Sequence, residues 1–244
     1  MNSPIVVRSG AATHAGLRRP INEDSHLAQA PLFLVADGMG GHAAGDLASA
    51  AVVEEFGALL NRGRIAVDDM SAALERSKAR VDALPSGARP AGTTLSGVAV
   101  SDVNGAAYWL VINVGDSRTY RYADGALDQI TIDHSMVQEM LDNGEVELAQ
   151  RVRRNVITRA IGAGSTGIAD FWMIPAEVGD RILVCSDGLT NELDDERVRE
   201  VLEDEADPES AALRLVREAM ANGGNDNITA VVVDAVSVAV EAPA

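Results

Sequence analysis

The chain has 244 residues, 47% hydrophobic and 23% charged, enough for one large globular domain or two small ones with a sizeable core. Twenty basic against 37 acidic residues leave a net charge of -17, which excludes the concentrated Lys/Arg surface that nucleic acid or an anionic membrane requires. The single cysteine, Cys185, excludes an intrachain disulfide framework; no stretch nears the ~20 apolar residues of a membrane span, and the N-terminus has no signal-peptide core, so a cytoplasmic protein is expected.

Along the chain, Ile5–Val7 is the first predicted strand, followed by a polar stretch carrying Arg18, Arg19, Asn22, Glu23 and Asp24. Leu32–Ala36, an apolar run closed by Asp37-Gly38, predicts a buried strand. Val52, Val53, Phe56, Leu59 and Leu60 recur at helical spacing within Ala43–Leu60, and a second helix is predicted from a cap at Asp68 or Asp69 to about Leu84, before residues 85–90 break the chain. From Thr93 to Ile130 the pattern is a β-meander. Leu95–Val100 turns through Asn104-Gly105 into Ala107–Val114, and another pair turns at Asp124-Gly125. Such hairpins imply antiparallel sheet and disfavour a doubly wound parallel fold.

A helix over Ser135–Asp142, ending at Asn143-Gly144, comes next. Glu145–Asp170, with Arg151, Arg153, Arg154 and Arg159, reads as an irregular, mobile surface segment. Strand Ile182–Cys185, helices over 195–203 and 208–221, and strand Ile228–Val233 complete the set, with a frayed tail expected over 235–244. No linker is long enough to divide the chain into two domains.

Three acids, Asp37, Asp187 and Asp226, each stand at a sharp turn beside an apolar run, and Asp116 occupies a fourth strand end in Asn113-Val114-Gly115-Asp116-Ser117-Arg118. A single such Asp is more often a turn residue or cap than a ligand. Four of them can converge on one rim of a sheet, where desolvation is costly unless a cation or hydrogen bonds compensate. Oxygen-only ligands select a hard cation, Mg2+ or Mn2+. His14, His26, His42 and His134 show no paired zinc spacing. Gly38-Met39-Gly40-Gly41-His42-Ala43 also matches a dinucleotide loop, but Asp37 would face the pyrophosphate and the meander denies the βαβ context. Arg19 lies four residues before the pair Glu23-Asp24. That is either a solvated charge cluster or an Arg19 clamp on phosphate, with Glu23 and Asp24 holding metal-bound water. Cys185, inside an apolar strand, reads as an inert buried thiol.

Arg19-x-x-x-Glu23-Asp24, Asp37-Gly38-x-Gly40-Gly41, Gly92-Thr93-Thr94, Val114-Gly115-Asp116-Ser117-Arg118, Ser186-Asp187-Gly188 and Gly224-Asn225-Asp226-Asn227 follow one another in an order that resembles the PPM-type (type 2C) metal-dependent serine/threonine protein phosphatases, in their compact bacterial branch. The likeness spans residues 8–234 and implies an α+β fold, a four-layer α-β-β-α sandwich of two stacked antiparallel sheets flanked by helices. It implies that Asp37 bridges two Mn2+ or Mg2+ ions, with the Gly38 carbonyl on one. Asp187 and Asp226 complete the first site, and Glu23 and Asp24 act on the second through water. Asp116 with Asp187 forms a third site, Arg19 anchors the phosphoryl oxygens, Asn155 assists, and 145–170 is a flap that helps choose substrates.

The expected activity is hydrolysis of phosphoserine and phosphothreonine in proteins by a metal-activated water, opposing a bacterial Ser/Thr kinase, by a monomer of one catalytic domain over 1–244. A catalytically silent phosphoprotein-binding module is the second reading. The chain departs from eukaryotic relatives at Met39, where they carry a histidine proposed as general acid. Met cannot donate a proton, which leaves metal-bound water, His42 or His134 as candidate donors.

Overall fold

The structure, a computed structural model, describes residues 3–40, 44–85, 90–152 and 156–239. In chain order the larger elements are β1 (Ile5–His14), β2 (Asp24–Gln29), β3 (Leu32–Met39), α1 (Ala44–Gly57), α2 (Val67–Asp82), β4 (Gly92–Thr93), β5 (Leu95–Val103), β6 (Ala106–Val114), β7 (Arg118–Ala123) and β8 (Ala126–Gln129). The second half adds α3 (Met136–Asp142), α4 (Val146–Ala149), β9 (Ile161–Gly162), β10 (Asp170–Pro175), β11 (Arg181–Cys185), α5 (Asp187–Thr190), α6 (Asp195–Asp204), α7 (Pro208–Asn222) and β12 (Ile228–Val238).

Every ladder is antiparallel. One sheet runs β1-β12-β11-β7-β8; the other runs β10-β6-β5-β3-β4-β9, with β2 also on β3. Phe33, Val35, Val98, Trp109 and Val111 from the second sheet meet Ile5, Ile182, Val184, Val231 and Val233 from the first in a dry layer between them. The opposite side chains of the same strands face outward. Leu34, Leu95, Leu110 and Ile112 pack under α1 and α2 against Val52, Phe56, Met70 and Leu74. Leu183, Ala230 and Val232 pack under α6 and α7 against Val198, Val201, Ala212 and Leu215. With both faces covered, β3, β11 and β12 are near-continuous apolar runs rather than alternating ones. The expected four-layer sandwich is present.

Both hairpin turns form as their sequences dictate, with positive φ at Asn104 and Gly105 (53° and 89°) and at Asp124 and Gly125 (52° and 79°). Helix α2 is capped by Ala66, two or three residues before the expected Asp68 or Asp69, because Asp69 reaches back to the Ala66 backbone N–H at 3.1 Å. Ser135, Asp194 and Asp207 cap α3, α6 and α7 by accepting a backbone N–H.

Two expectations need correction. The tail expected to fray from Ala235 instead continues β12 to Val238, pairing with β1 as far as Ile5↔Val238, which satisfies its backbone groups. The 145–170 segment is less irregular than expected: it holds α4 and β9, and Ile161 is buried against the α1–α2 side of the core.

Candidate active site

The strand ends decide the site. Asp24 opens β2 and sits directly opposite Asp37 in the β2–β3 register. Asp187 follows β11 as the first residue of α5, Asp226 precedes β12, and Asp116 follows β6. Thr93 and Thr94 fix the backbone of Asp37: the Thr94 hydroxyl accepts its N–H at 3.0 Å and the Thr93 hydroxyl donates to its C=O at 2.9 Å. Gly38 is required by close approach. A Cβ there would lie 2.2 Å from the Gly45 carbonyl oxygen and 2.5 Å from that of Glu23, so only glycine lets the first turn of α1 cross β3 at this point.

Arg19, Glu23, Asp37, Gly38, Met39, Asp116, Asp187 and Asp226 line one cleft of about 360 Å3, joined by Thr94 and by Ile157 of the flap segment. Asp116 and Asp187 also line a smaller neighbouring cavity of about 190 Å3. Asp24 is absent from the cleft wall and stands behind it. Its Oδ2 accepts the hydroxyls of Ser186 at 2.8 Å and Thr229 at 2.7 Å. Among the described residues, Asp24 Oδ1 and Asp187 Oδ1 are buried with no hydrogen-bond partner. Two bare carboxylate oxygens in one place are a costly arrangement for a chain that closes on itself.

The electrostatics agree. Burial, then the neighbouring charges of Asp24, Asp187, Asp116 and Asp226, hold the Asp37 carboxyl well above its ordinary range. Burial pushes Asp24 up to about 7 and Asp116 up to about 8, and it raises Asp187 and Glu23 as well. The cation bonded at this rim, among the described residues, is Arg19, whose Nη2 lies 2.6 Å from Asp226 Oδ2. An oxygen-rich set with bare buried oxygens and mutual repulsion fits a hard divalent cation. Among the described residues no three His, Cys, Asp or Glu side chains already enclose one ion position. A cation here would draw on water and on release of Asp226 from Arg19 to complete its shell.

Several residues escaped the sequence reading. Asn227 clamps the loop that carries Arg19: its Oδ1 accepts the Glu23 N–H at 2.8 Å, and its Nδ2 donates to the carbonyls of Ala15 and Ile21, both at 2.9 Å. It lies inside the Gly224–Asn227 motif, which was the signal available. Ser186, beside Asp187, carried a similar hint, whereas Thr229 and Thr13 carried none. His134 is corrected as a proton donor. Its buried ring accepts the Gly115 N–H on Nδ1 at 3.1 Å and places Nε2 3.0 Å from Asp170 Oδ2, off the cleft wall. Burial lowers its pKa, so the neutral ring is a bracket between two loops. Gly41, His42, Arg153, Arg154 and Asn155 lie outside the described residues. Cys185 is fully buried and its thiol is pushed up to about 12, as an inert core residue should be.

Residues 21–222 match the model of the family described as protein phosphatase 2C. The serine/threonine protein phosphatase PstP of Mycobacterium tuberculosis is 39% identical over 244 residues, covering 95% of this chain and 46% of that protein. The serine/threonine phosphatase stp of Listeria innocua is 33% identical, covering 91% of this chain and 93% of that one. The chain therefore spans about half the length of the mycobacterial relative and nearly all of the listerial one. Among solved structures, the M. tuberculosis PstP/Ppp phosphatase superposes with a TM-score of 0.86 at 36% identity, over 95% of this chain and 99% of that one. The PstP catalytic domain in complex with two manganese ions gives 0.85 at 35% identity, over 96% and 100%.

Proposed function

The chain belongs to the protein phosphatase 2C family, and from that premise we propose that it hydrolyses phosphoserine and phosphothreonine in proteins, with two Mn2+ or Mg2+ ions as cofactors. The observation that carries this reading is the group of buried carboxylates in and directly behind the cleft, two of whose oxygens are bare among the described residues, beside one arginine. A silent phosphoprotein-binding module, the other reading of the sequence, has no use for acids held against their own repulsion.

In this mechanism Asp37, with the Gly38 carbonyl, Asp187 and Asp226, would hold one ion. Asp37 would share the second with Glu23 and Asp24, and Asp116 with Asp187 would take a third. When bound, such ions acidify water and offset phosphoryl charge. Arg19 stands half-exposed at the cleft mouth, where it can exchange Asp226 for two phosphoryl oxygens and orient the ester. Ile157 and Met39 supply apolar wall, and Met39 itself moves no proton. Cys185 is buried away from the reaction, so no phosphoenzyme on it is involved. Residues 1–244 act as one catalytic domain, with 145–170 as the flap beside the cleft. Phosphoproteins, including an opposing Ser/Thr kinase, are the substrates, met in the cytoplasm by a monomer. No helix among the described residues is long and apolar enough to cross a membrane.

The test is turnover of a phosphothreonine peptide. Activity that requires Mn2+, stops with EDTA and is lost in Asp187→Ala supports the reading. Peptide binding without turnover at saturating Mn2+ would sink it.

A further inference from the structure

A single thread of side chains links Asp24 to the protein surface. Asn22 Nδ2 donates to the Thr13 hydroxyl at 2.8 Å, and the Thr13 and Thr229 hydroxyls lie 2.7 Å apart. Thr229 donates to Asp24 Oδ2 at 2.7 Å, and the Asp24 N–H returns to Asn22 Oδ1 at 3.2 Å. The ring closes on itself. Beside a bound cation Asp24 would be ionised, and an ionised carboxylate only accepts, which forces the direction of the ring. Thr229 must therefore donate to Asp24, and since each hydroxyl has one proton, Thr13 must donate to Thr229. Ser186 is committed in the same way: its oxygen accepts the Thr229 N–H at 3.0 Å and its proton goes to Asp24. With Oδ2 doubly occupied, the carboxylate has one orientation left, and among the described residues Oδ1 is the oxygen that stays bare.

Thr13 and Thr229 are also register partners between β1 and β12. A cross-strand threonine pair alone would be ordinary sheet stabilisation, about 0.2–1 kcal/mol. Its alignment onto a buried carboxylate is what an ordinary pair lacks. We infer that Thr13 and Thr229 are positioning residues of the active site: through their aligned hydroxyls they fix Asp24 so that its free oxygen serves the metal cluster. Thr13 reaches the Asp24 carboxylate through Thr229, while its bond from Asn22 leads to the Asp24 backbone N–H instead. This rests on the metal reading proposed above.

Thr13 is exposed, on the edge strand of its sheet, and Thr229 is fully buried, so Thr13→Val removes the hydroxyl with little risk to folding. The experiment is calorimetric titration of EDTA-stripped protein with Mn2+, together with the melting temperature of the metal-free form. Outer-sphere partners of a metal ligand are commonly worth about 10–100-fold in affinity, and that scale sets the loss expected for Thr229→Val. Thr13, one bond further out, should cost about three- to tenfold, with Thr13→Ser within about twofold of wild type and the metal-free Tm unmoved. Because Thr13 acts through Thr229, the Thr13→Val/Thr229→Val double variant should bind no more weakly than Thr229→Val alone. Wild-type affinity in Thr13→Val, additive losses, or no rescue by serine would overturn the inference while leaving the metal site intact. A wild-type protein that binds no Mn2+ would instead overturn the metal reading, and this inference with it.

Discussion

The sandwich holds buried acids around both ends of β11, and the two ends handle them in opposite ways. At the far end, Asp180 accepts the Trp109 indole N–H at 2.9 Å and the Arg121 guanidinium at 2.8 Å. Asp234 takes two bonds from Arg181, at 2.6 and 2.9 Å, while Arg181 also donates to the carbonyls of Leu202, Glu205 and Ala206 at the end of α6. Those carboxylates are neutralised from within the chain. At the cleft end, among the described residues, Asp24, Asp37, Asp116 and Asp187 have no bonded cation and two of their oxygens have no hydrogen-bond partner. The contrast separates structural acids from functional ones at opposite ends of one sandwich. A fold that can supply arginines to buried aspartates at one end withholds them at the other.

The contrast breaks most visibly by mutation. Asp37→Asn should lower kcat/KM by about a thousandfold or more, the ~4 kcal/mol of transition-state stabilisation that a lost metal site removes. In EDTA at neutral pH the same variant should melt higher than wild type, since it removes the cost of either ionising this carboxyl among its repelling neighbours or protonating it on folding. A metal-free Tm that falls would mean that Asp37 is a structural acid. Asp234→Ala should do the reverse. It leaves Arg181 buried without its partner and costs about 3 kcal/mol, roughly 10 °C in Tm for a domain of this size, with kcat unchanged at saturating Mn2+.

Next in size is the pH dependence of stability without metal, measured by denaturant unfolding in EDTA. Asp24 and Asp116 sit near 7 and 8 in the folded state, above their unfolded value of about 4. The folded protein therefore binds more protons across that window. Its stability should fall as pH rises from about 5, by up to about 1.4 kcal/mol per pH unit per group, and level off above 8. Mn2+ should flatten the slope; a metal-free stability that climbs over the same range would contradict the electrostatics described here. The smallest effect belongs to Cys185→Ala, which should leave turnover within about twofold of wild type, as peptide assays would show.

How much the sequence disclosed depended on the kind of signal. The Asn104-Gly105 and Asp124-Gly125 turns, the apolar runs of β3, β11 and β12, and the capped helices α3, α6 and α7 were legible because each is set by local chemistry. Strands β2 (Asp-Ser-His-Leu-Ala-Gln) and β10 escaped, since each pairs on one side only and most of their residues are partly exposed. Their strand character comes from β3 and β6, not from their own residues. The carboxylates were visible at strand ends. The hydroxyls and amides that aim them were not: Thr13 and Thr229 stand 216 positions apart, and nothing local distinguishes them from other threonines.

The most direct test of the central claim is an anomalous-difference map from crystals of the wild-type protein soaked in Mn2+. At least two peaks in the cleft among Asp37, Asp187, Asp226 and Glu23, with none at Asp180 or Asp234, are predicted. A featureless cleft at full soaking, or manganese bound only elsewhere, would contradict it.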